Sequence, residues 1–362
     1  MKRKDPRKIL IIRFGSLGDV VLVTPFIDAV RSRYPESSVA LAVKGEYEDL
    51  FAADSRIDRL FSLGGRTSSG RGAGMYYLLW QVRREGFDAA VDLQRNPRSI
   101  LLSALCGARS RAGVRTERAG RRRLVQRKVR AELPHVVDRY RAALPQLAEV
   151  ATDRRPRLVI GDGVRQRADE LLAKGGVSEE DMLVGVAPGA GRATKRWPAT
   201  KFAELGRLLV ERANAGVVLV GDSDERGLAD EVASAVGGRA IVTAGRTTVG
   251  ELAAVLARCR VLVTNDSGPM HVATGVGTPV VAIFGATTPE LGFAPLGERD
   301  IIVSRSLECR PCSLHGSERC PVGTFECMEG IEAQEVFEKT LSLIGSTYEP
   351  ARLPEMSACR PH

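Results

Sequence analysis

Long apolar runs are missing from this 362-residue chain; none approaches the ~20 residues that span a bilayer. The N-terminal MKRKDPRK leads into a strand-like segment and not into the apolar core and cleavage site of a secretory signal. The protein is therefore expected to stay in the cytoplasm. Aromatic residues are scarce, at 5%. The densest basic stretch, RSRAGVRTERAGRRRLVQRKVR (109–130), holds ten Arg or Lys residues and no aromatic. Surfaces for single-stranded nucleic acid interleave aromatics for base stacking, so nucleic acid is not the expected partner. The stretch reads either as a contact surface for phosphate or carboxylate groups or as a solvated basic loop. Low-complexity segments and short-period repeats are also lacking. So are the P-loop pattern and the GxGxxG fingerprint, because the first glycine turn, GSLGD (15–19), has no middle glycine.

The length allows two domains with ordinary cores. A formal net charge of +9 favours an anionic partner, such as a phosphorylated substrate or an acidic membrane surface. Strands and helices alternate in both halves. In the first, KILIIRF (8–14), SVALAVK (38–44) and FDAAVDL (87–93) read as buried strands, and TPFIDAVRSRY (24–34) as an amphipathic helix with Pro25 in its first turn or at a kink. In the second, strands are expected at 183–189, 216–222, 239–245, 260–268 and 278–285, with helices at 201–213 and 249–259. This rhythm predicts two α/β domains built on parallel sheets. The charge- and turn-rich region 150–182 reads as the seam, a final helix over 331–344 fits neither repeat, and the tail from Ser346 reads as loosely packed.

In open α/β sheets, ligands bind beyond the carboxyl ends of the strands. GSLGD takes that place in the first half; in the second it is taken by APGAGRATKRWP (187–198), GDSDE (221–225), AGRTT (244–248) and NDSGPMHVATGVGTP (265–279). The turn Asp266-Ser267-Gly268 opens a helix whose free N–H groups and dipole favour an anion, and Gly268 allows close approach. Lys195 and Arg196 offer positive charge to a diphosphate. Glu225 stands where an acid would bond ribose hydroxyls. Helix capping and glycine turns explain each feature singly, but not their joint occurrence at successive strand ends.

Together, RFGSLGDVVLVTPF (13–26), PGAGRATKRWPATKFAEL (188–205), VLVGDSDE (218–225) and NDSGPMHVATGVGTPVVAIFG (265–285) resemble the heptosyltransferase family, glycosyltransferase family nine, over about residues 8 to 345. The resemblance implies a GT-B fold, two Rossmann-like domains facing across a cleft. An acceptor-binding domain would occupy 1–160 and a nucleotide-sugar domain 161–330, with a helix at 331–345 crossing back to the first domain and a loosely ordered tail at 346–362. It further implies inverting, metal-independent transfer of heptose from ADP-heptose to the inner core of lipopolysaccharide, with no cofactor required.

By the same resemblance Asp19 is the catalytic base, on an acceptor-side turn made by Gly15, Ser16 and Gly18. A carboxylate suits that turn because the phosphates are held by the other domain; helix capping is its other reading. Lys195 and Thr194 would contact the diphosphate, as would the turn Asp266-Ser267-Gly268. His271 is a phosphate or sugar contact or a packed side chain, Glu225 the ribose ligand, and Arg246-Thr247-Thr248 the adenine edge. An acidic, lipid-linked acceptor suits the basic segment 109–130, which would also draw the protein to the inner face of an anionic membrane. Two other functions remain open: the same class with another nucleotide sugar or acceptor, and a dinucleotide-dependent oxidoreductase or nucleotide-binding regulator, against which the missing GxGxxG and the acid at Asp19 count.

Seven cysteines are present, four of them clustered as CRPCSLHGSERCPVGTFEC at Cys309, Cys312, Cys320 and Cys327. A Cys-x-x-Cys followed by two more is ligand-like spacing, so a structural zinc is one reading of the cluster. Disulfides are not expected in a reducing compartment.

Overall fold

The computed structural model describes residues 5–64, 71–115, 117–126 and 133–345; the tail from Ser346 and part of the basic stretch lie outside them. In the first domain β1 (Lys8–Ile12) is followed by α1 (Leu17–Val21) and α2 (Thr24–Arg33), then β2 (Ser38–Lys44), α3 (Glu48–Phe51) and β3 (Arg59–Leu63). The chain continues through α4 (Arg71–Glu85), β4 (Ala89–Asp92), α5 (Pro97–Leu105), β5 (Ser110–Gly113), α6 (Arg118–Val125) and α7 (Val136–Arg141). The second domain runs α8 (Asp162–Lys174), β6 (Leu183–Ala187), α9 (Ala199–Ala213), β7 (Gly216–Leu219), α10 (Arg226–Val236), β8 (Ala240–Val242) and α11 (Val249–Arg258). It closes with β9 (Val261–Asn265), α12 (Gly268–Gly275), β10 (Val280–Phe284), β11 (Ile301–Ser304), α13 (Glu326–Glu329) and α14 (Ala333–Ile344).

The strand orders are β3-β2-β1-β4-β5 and β11-β10-β9-β6-β7-β8, with parallel pairing throughout. Each sheet reverses its direction of growth once, at β1/β4 and at β6/β9. Those switch points open crevices at the strand ends, and they are where GSLGD, the Lys195 turn and the Asp266 turn sit. The inner strands β1, β6, β9 and β10 are largely apolar because helices cover both faces; Leu10, Ile11, Val263 and Val281, for example, are fully buried.

One buried cluster passes between the domains, from Ile9 and Phe26 through Val20 and Val21 to Met270 and Val272. It is continuous because α1 lies directly on α12. That approach demands glycine: a Cβ at Gly18 would stand 2.5 Å from Cδ2 of His271, and one at Gly268 would stand 2.9 Å from Cδ2 of Leu17. Backbone bonds reinforce the junction, Leu158 N–H to Gly275 O at 2.8 Å and Val136 N–H to Gly292 O at 2.9 Å.

Two sequence expectations are corrected here. The stretch 150–182 is not all seam, since it contains α8, which packs along α11 of the second domain. The final helix does not cross back: α14 lies along α9 and buries Val336, Phe337 and Leu343 beside Trp197 and Phe202. Its stripe Val336, Thr340 and Leu343 repeats at the spacing of a helix face, and the second domain offers the apolar groove that matches it. Among the described residues no helix is long and apolar enough to cross a membrane.

Candidate active site

β1 ends at Ile12, and the next residues turn the chain into α1, which carries Asp19 into the space between the domains. There the carboxylate accepts from Ser16 Oγ at 3.0 Å and from the Tyr140 hydroxyl at 3.2 Å, and it pairs with the Arg13 guanidinium at 2.5 Å. Arg13 is itself fixed by a 2.7 Å bond to Leu93 O. Burial works against the Arg13 charge, but Tyr140 and Asp19 outweigh it and raise its pKa above the ordinary value. Burial, with Asp19 beside it, raises that of Tyr140, which stays a neutral donor. Three groups, two from the β1–α1 connection and one from α7, thus hold one carboxylate.

On the facing wall, Lys195 Nζ pairs with Asp266 Oδ2 at 2.8 Å, and Thr287 Oγ donates to the same oxygen at 2.6 Å. The Lys195 turn is braced from beneath. Trp197 N–H donates to Asn265 Oδ1 at 3.0 Å, Trp197 Nε1–H to Ile331 O at 3.0 Å, and the indole meets Phe202 edge-on with centroids 4.8 Å apart. Asn265 Nδ2 closes the arrangement on Pro188 O at 2.9 Å. Between the walls lies a cleft of about 250 Å³ whose lining includes Ser16, Asp19, Lys195, Asp266, His271 and His315.

His271 is 5% exposed, with its ring against Gly18 and its Nδ1 without a partner among the described residues. Burial pushes its pKa down to about 4; His135 and Lys195 add to the drop, while Asp266 and Asp19 oppose it. The imidazole is therefore neutral at pH 7. Ser267 and Gly268 open α12 toward the cleft, but the Cβ-free position at Gly268 is used first by Leu17 of α1.

Glu225 lies away from this cleft, at the ends of β6 and β7. A Cβ at Gly189 would fall 2.0 Å from its Cδ and one at Gly221 would fall 2.8 Å from Oε2, so the carboxylate occupies the hollow between two glycine turns. It accepts from Asp222 N–H at 3.2 Å, and burial raises its pKa. The turn carrying Arg246 and Thr247 is next along the sheet, joined by Gly245 N–H to Gly221 O at 3.1 Å. Arg246 and Thr247 do not reach the cleft lining. Nor does Thr194, whose hydroxyl is spent on Ser317, donating to its carbonyl at 2.9 Å and accepting from its N–H at 2.8 Å. Asp222 of the tripeptide Asp222-Ser223-Asp224 is likewise spent on its own turn, accepting from the N–H groups of Asp224 and Glu225 at 2.9 and 3.0 Å.

The cysteine segment also shapes the cleft. Among the described residues no group of three or more His, Cys, Asp or Glu side chains is arranged to hold a metal ion. Burial and Cys309 push the Cys312 thiol up to about 11, and its Sγ donates to Cys309 O at 3.0 Å. The segment is tied to the end of β10 by Cys312 N–H to Ala286 O at 2.9 Å and by Arg310 to Phe284 O at 2.9 Å, and so delivers Leu314 and His315 to the cleft.

Sequence reasoning missed Arg13, Tyr140, Thr287 and His315, and with them a pair of arginines. Arg121, from the basic stretch, and Arg139, from α7, lie 5.2 and 5.3 Å from the Phe293 ring centroid. Each has a buried Nε and one buried terminal nitrogen without a partner among the described residues. Burial lowers both pKa values and Asp19 opposes the drop. No local pattern marks this pair, because Arg121 and Arg139 meet over Phe293 only once the chain is folded.

A family model described as glycosyltransferase family 9 (heptosyltransferase) matches residues 75–321. Lipooligosaccharide heptosyltransferase 2 of Haemophilus influenzae is 26% identical over 316 residues, covering 82% of this chain and 88% of the relative. The solved glycosyl transferase family 9 protein of Veillonella parvula superposes with a TM-score of 0.77 at 25% identity, covering 93% of this chain and 97% of that one. ADP-heptose LPS heptosyltransferase II of Escherichia coli does so at 0.75 and 22% identity, covering 93% and 98%.

Proposed function

The chain belongs to glycosyltransferase family 9 and is a GT-B glycosyltransferase; from that premise we propose that it moves heptose from ADP-heptose to the inner core of lipopolysaccharide, inverting the anomeric carbon without a metal. The observation that carries this reading is the opposition of Asp19 to the Lys195–Asp266 pair across one cleft. In an inverting displacement the acceptor hydroxyl attacks from the face opposite the leaving diphosphate, so a base has to stand across from the phosphates. Asp19 takes the hydroxyl proton as the new C–O bond forms. The bond from the anomeric carbon to the diphosphate oxygen breaks, and ADP leaves with the electron pair.

Lys195 and the N–H groups of Ser267 and Gly268 meet the departing charge, a preorganised electrostatic arrangement. Lys195 must turn from Asp266 toward the diphosphate, and Asp266 keeps Thr287 as a partner when it does. The neutral His271 offers its free Nδ1 to a sugar or phosphate group. Thr194 acts indirectly, by clasping the Ser317 loop over the Lys195 turn. The nucleoside extends along the ends of β6, β7 and β8, its ribose on Glu225 and its adenine beside Arg246, Thr247 and Thr248. Arg121 and Arg139 receive acidic groups of the acceptor, which suits a protein working at the cytoplasmic face of an anionic membrane.

The test is thermal unfolding with ADP, GDP, UDP, CMP or NAD. A ligand at 100 times its dissociation constant adds about 2.7 kcal/mol of stability. Selective stabilisation by ADP is expected, followed by transfer from ADP-heptose. Stabilisation by GDP or UDP alone would change the donor, and a response to NAD alone would overturn the assignment.

A further inference from the structure

The first domain carries an apolar surface that this reaction does not use. α4 and α5 lie on one face of the five-stranded sheet, burying Leu78 and Val82 from α4 and Leu102 and Cys106 from α5 in one cluster with Leu10 and Ala90. The outer faces of such helices are ordinarily polar. Here α4 exposes Tyr76, Tyr77 and Trp80, at 76, 52 and 45%, and α5 exposes Ile100, Leu101 and Leu105, at 46, 46 and 41%. At 3.6 residues per turn each trio falls within an arc of about 140° or less, on one side of its helix.

The aromatic side chains are ordered although uncovered. Tyr77 stacks on Trp80 with centroids 5.7 Å apart and planes 22° from parallel, and Arg84 lies 4.7 Å from the other ring centroid, that of the Trp80 indole. The exposed charges bordering them have one sign: Arg83 and Arg84 on α4, Arg98 on α5, and Arg109 and Arg111 just beyond it. Arg111 is anchored to the end of α5 by a 2.8 Å bond to Ala104 O. Glu85, the acid on this part of α4, is already paired with Lys8 and Arg59 at 3.7 and 3.3 Å.

We propose that the α4–α5 face docks on an anionic lipid bilayer, with the tyrosines and Trp80 at headgroup level, the α5 aliphatics at the acyl boundary and the arginines on lipid phosphates. Trp and Tyr favour that interface, helices with an apolar face and flanking cations lie in its plane, and anionic headgroups attract each nearby Arg. A protein partner would have to supply both an apolar surface and a surrounding ring of acids; an anionic bilayer presents both as one surface. The purpose of docking, delivery of a lipid-linked acceptor, rests on the function proposed above, but the docking itself does not.

The chain has two tryptophans, Trp80 and a Trp197 that is only 1% exposed, so intrinsic fluorescence reports the surface directly. The full chain is titrated with phosphatidylglycerol–phosphatidylethanolamine vesicles and with phosphatidylcholine vesicles, none containing acceptor or donor. The expected result is a blue shift with the anionic vesicles, quenching by brominated acyl chains, and loss of both signals in Trp80→Phe while cosedimentation persists. Tyr77→Ser with Leu101→Ser should weaken partitioning by about tenfold or more. Arg83→Glu with Arg84→Glu should remove the preference for anionic lipid, all with unchanged melting temperature. No blue shift, or full binding by the serine variant, would overturn the proposal. So would concentration-dependent dimerisation that the serine variant abolishes without any lipid binding, which would assign the face to a second copy. Because no nucleotide or sugar enters the assay, its outcome is separate from that of the ADP experiment.

Discussion

Acidification should weaken this fold through His271 in particular. The ring is buried against Gly18, and burial holds its pKa at about 4 against an ordinary 6.5. A folded pKa below the unfolded one means that the neutral ring contributes stability fully present above about pH 6.5 and lost as the pH falls toward 4. At about 1.4 kcal/mol per pH unit the whole gap amounts to about 3 kcal/mol, of which about 2 kcal/mol should be gone at pH 5. The assay is urea unfolding of the native protein and of His271→Gln at pH 7.5 and pH 5.0. Glutamine loses packing equally at both values but takes up no proton, and the lowered pKa values of His135 and His315 act in both proteins. The stability difference between the two proteins should therefore shift by about 2 kcal/mol in favour of the glutamine variant on acidification. A difference that does not change with pH would refute the buried, neutral state of His271 and with it the tight α1–α12 contact.

Asp19→Ala should lower transfer by about 10²–10⁴-fold with ADP affinity nearly unchanged, because the carboxylate belongs to the wall opposite the nucleotide; isothermal titration beside a turnover assay checks both, and retained turnover would remove Asp19 from the base role. Lys195→Ala should weaken ADP binding and slow the reaction by about 10²–10³-fold, and an unchanged dissociation constant would undo its assignment. Gly18→Ala puts a Cβ 2.5 Å from His271 Cδ2, overpacking that should cost about 1–3 kcal/mol in a denaturation experiment.

Apolar periodicity made β1, β2, β6, β9 and β10 legible, since strands covered on both faces carry their burial in composition alone. Short or edge strands such as β5 (Ser110–Gly113) and β11 (Ile301–Ser304) were not, because SRAG and IIVS lack the length or the bounding turns that distinguish a strand from a loop. α4 and α5 escaped for another reason: their outer faces are apolar, so the contrast between faces that marks an amphipathic helix is weak. The site divided in the same way. Glycine turns and charges at strand ends, Asp19, Lys195, Asp266 and Glu225, could be found because strand ends are where such sheets bind ligands.

By itself, then, the sequence determined two parallel-sheet domains, the strand-end turns and the family resemblance, all of which depend on local pattern. The tertiary structure alone decided the partners: Arg13 and Tyr140 on Asp19, Asp266 on Lys195, Ser317 on Thr194, and α9 beneath α14. The side-chain contacts onto Asp19, Lys195 and Thr194 alone join residues up to 123 positions apart. Which of many chemically suitable side chains meet over such distances is set by strand order and helix packing, and these depend on the burial of whole faces together rather than on any short stretch of residues.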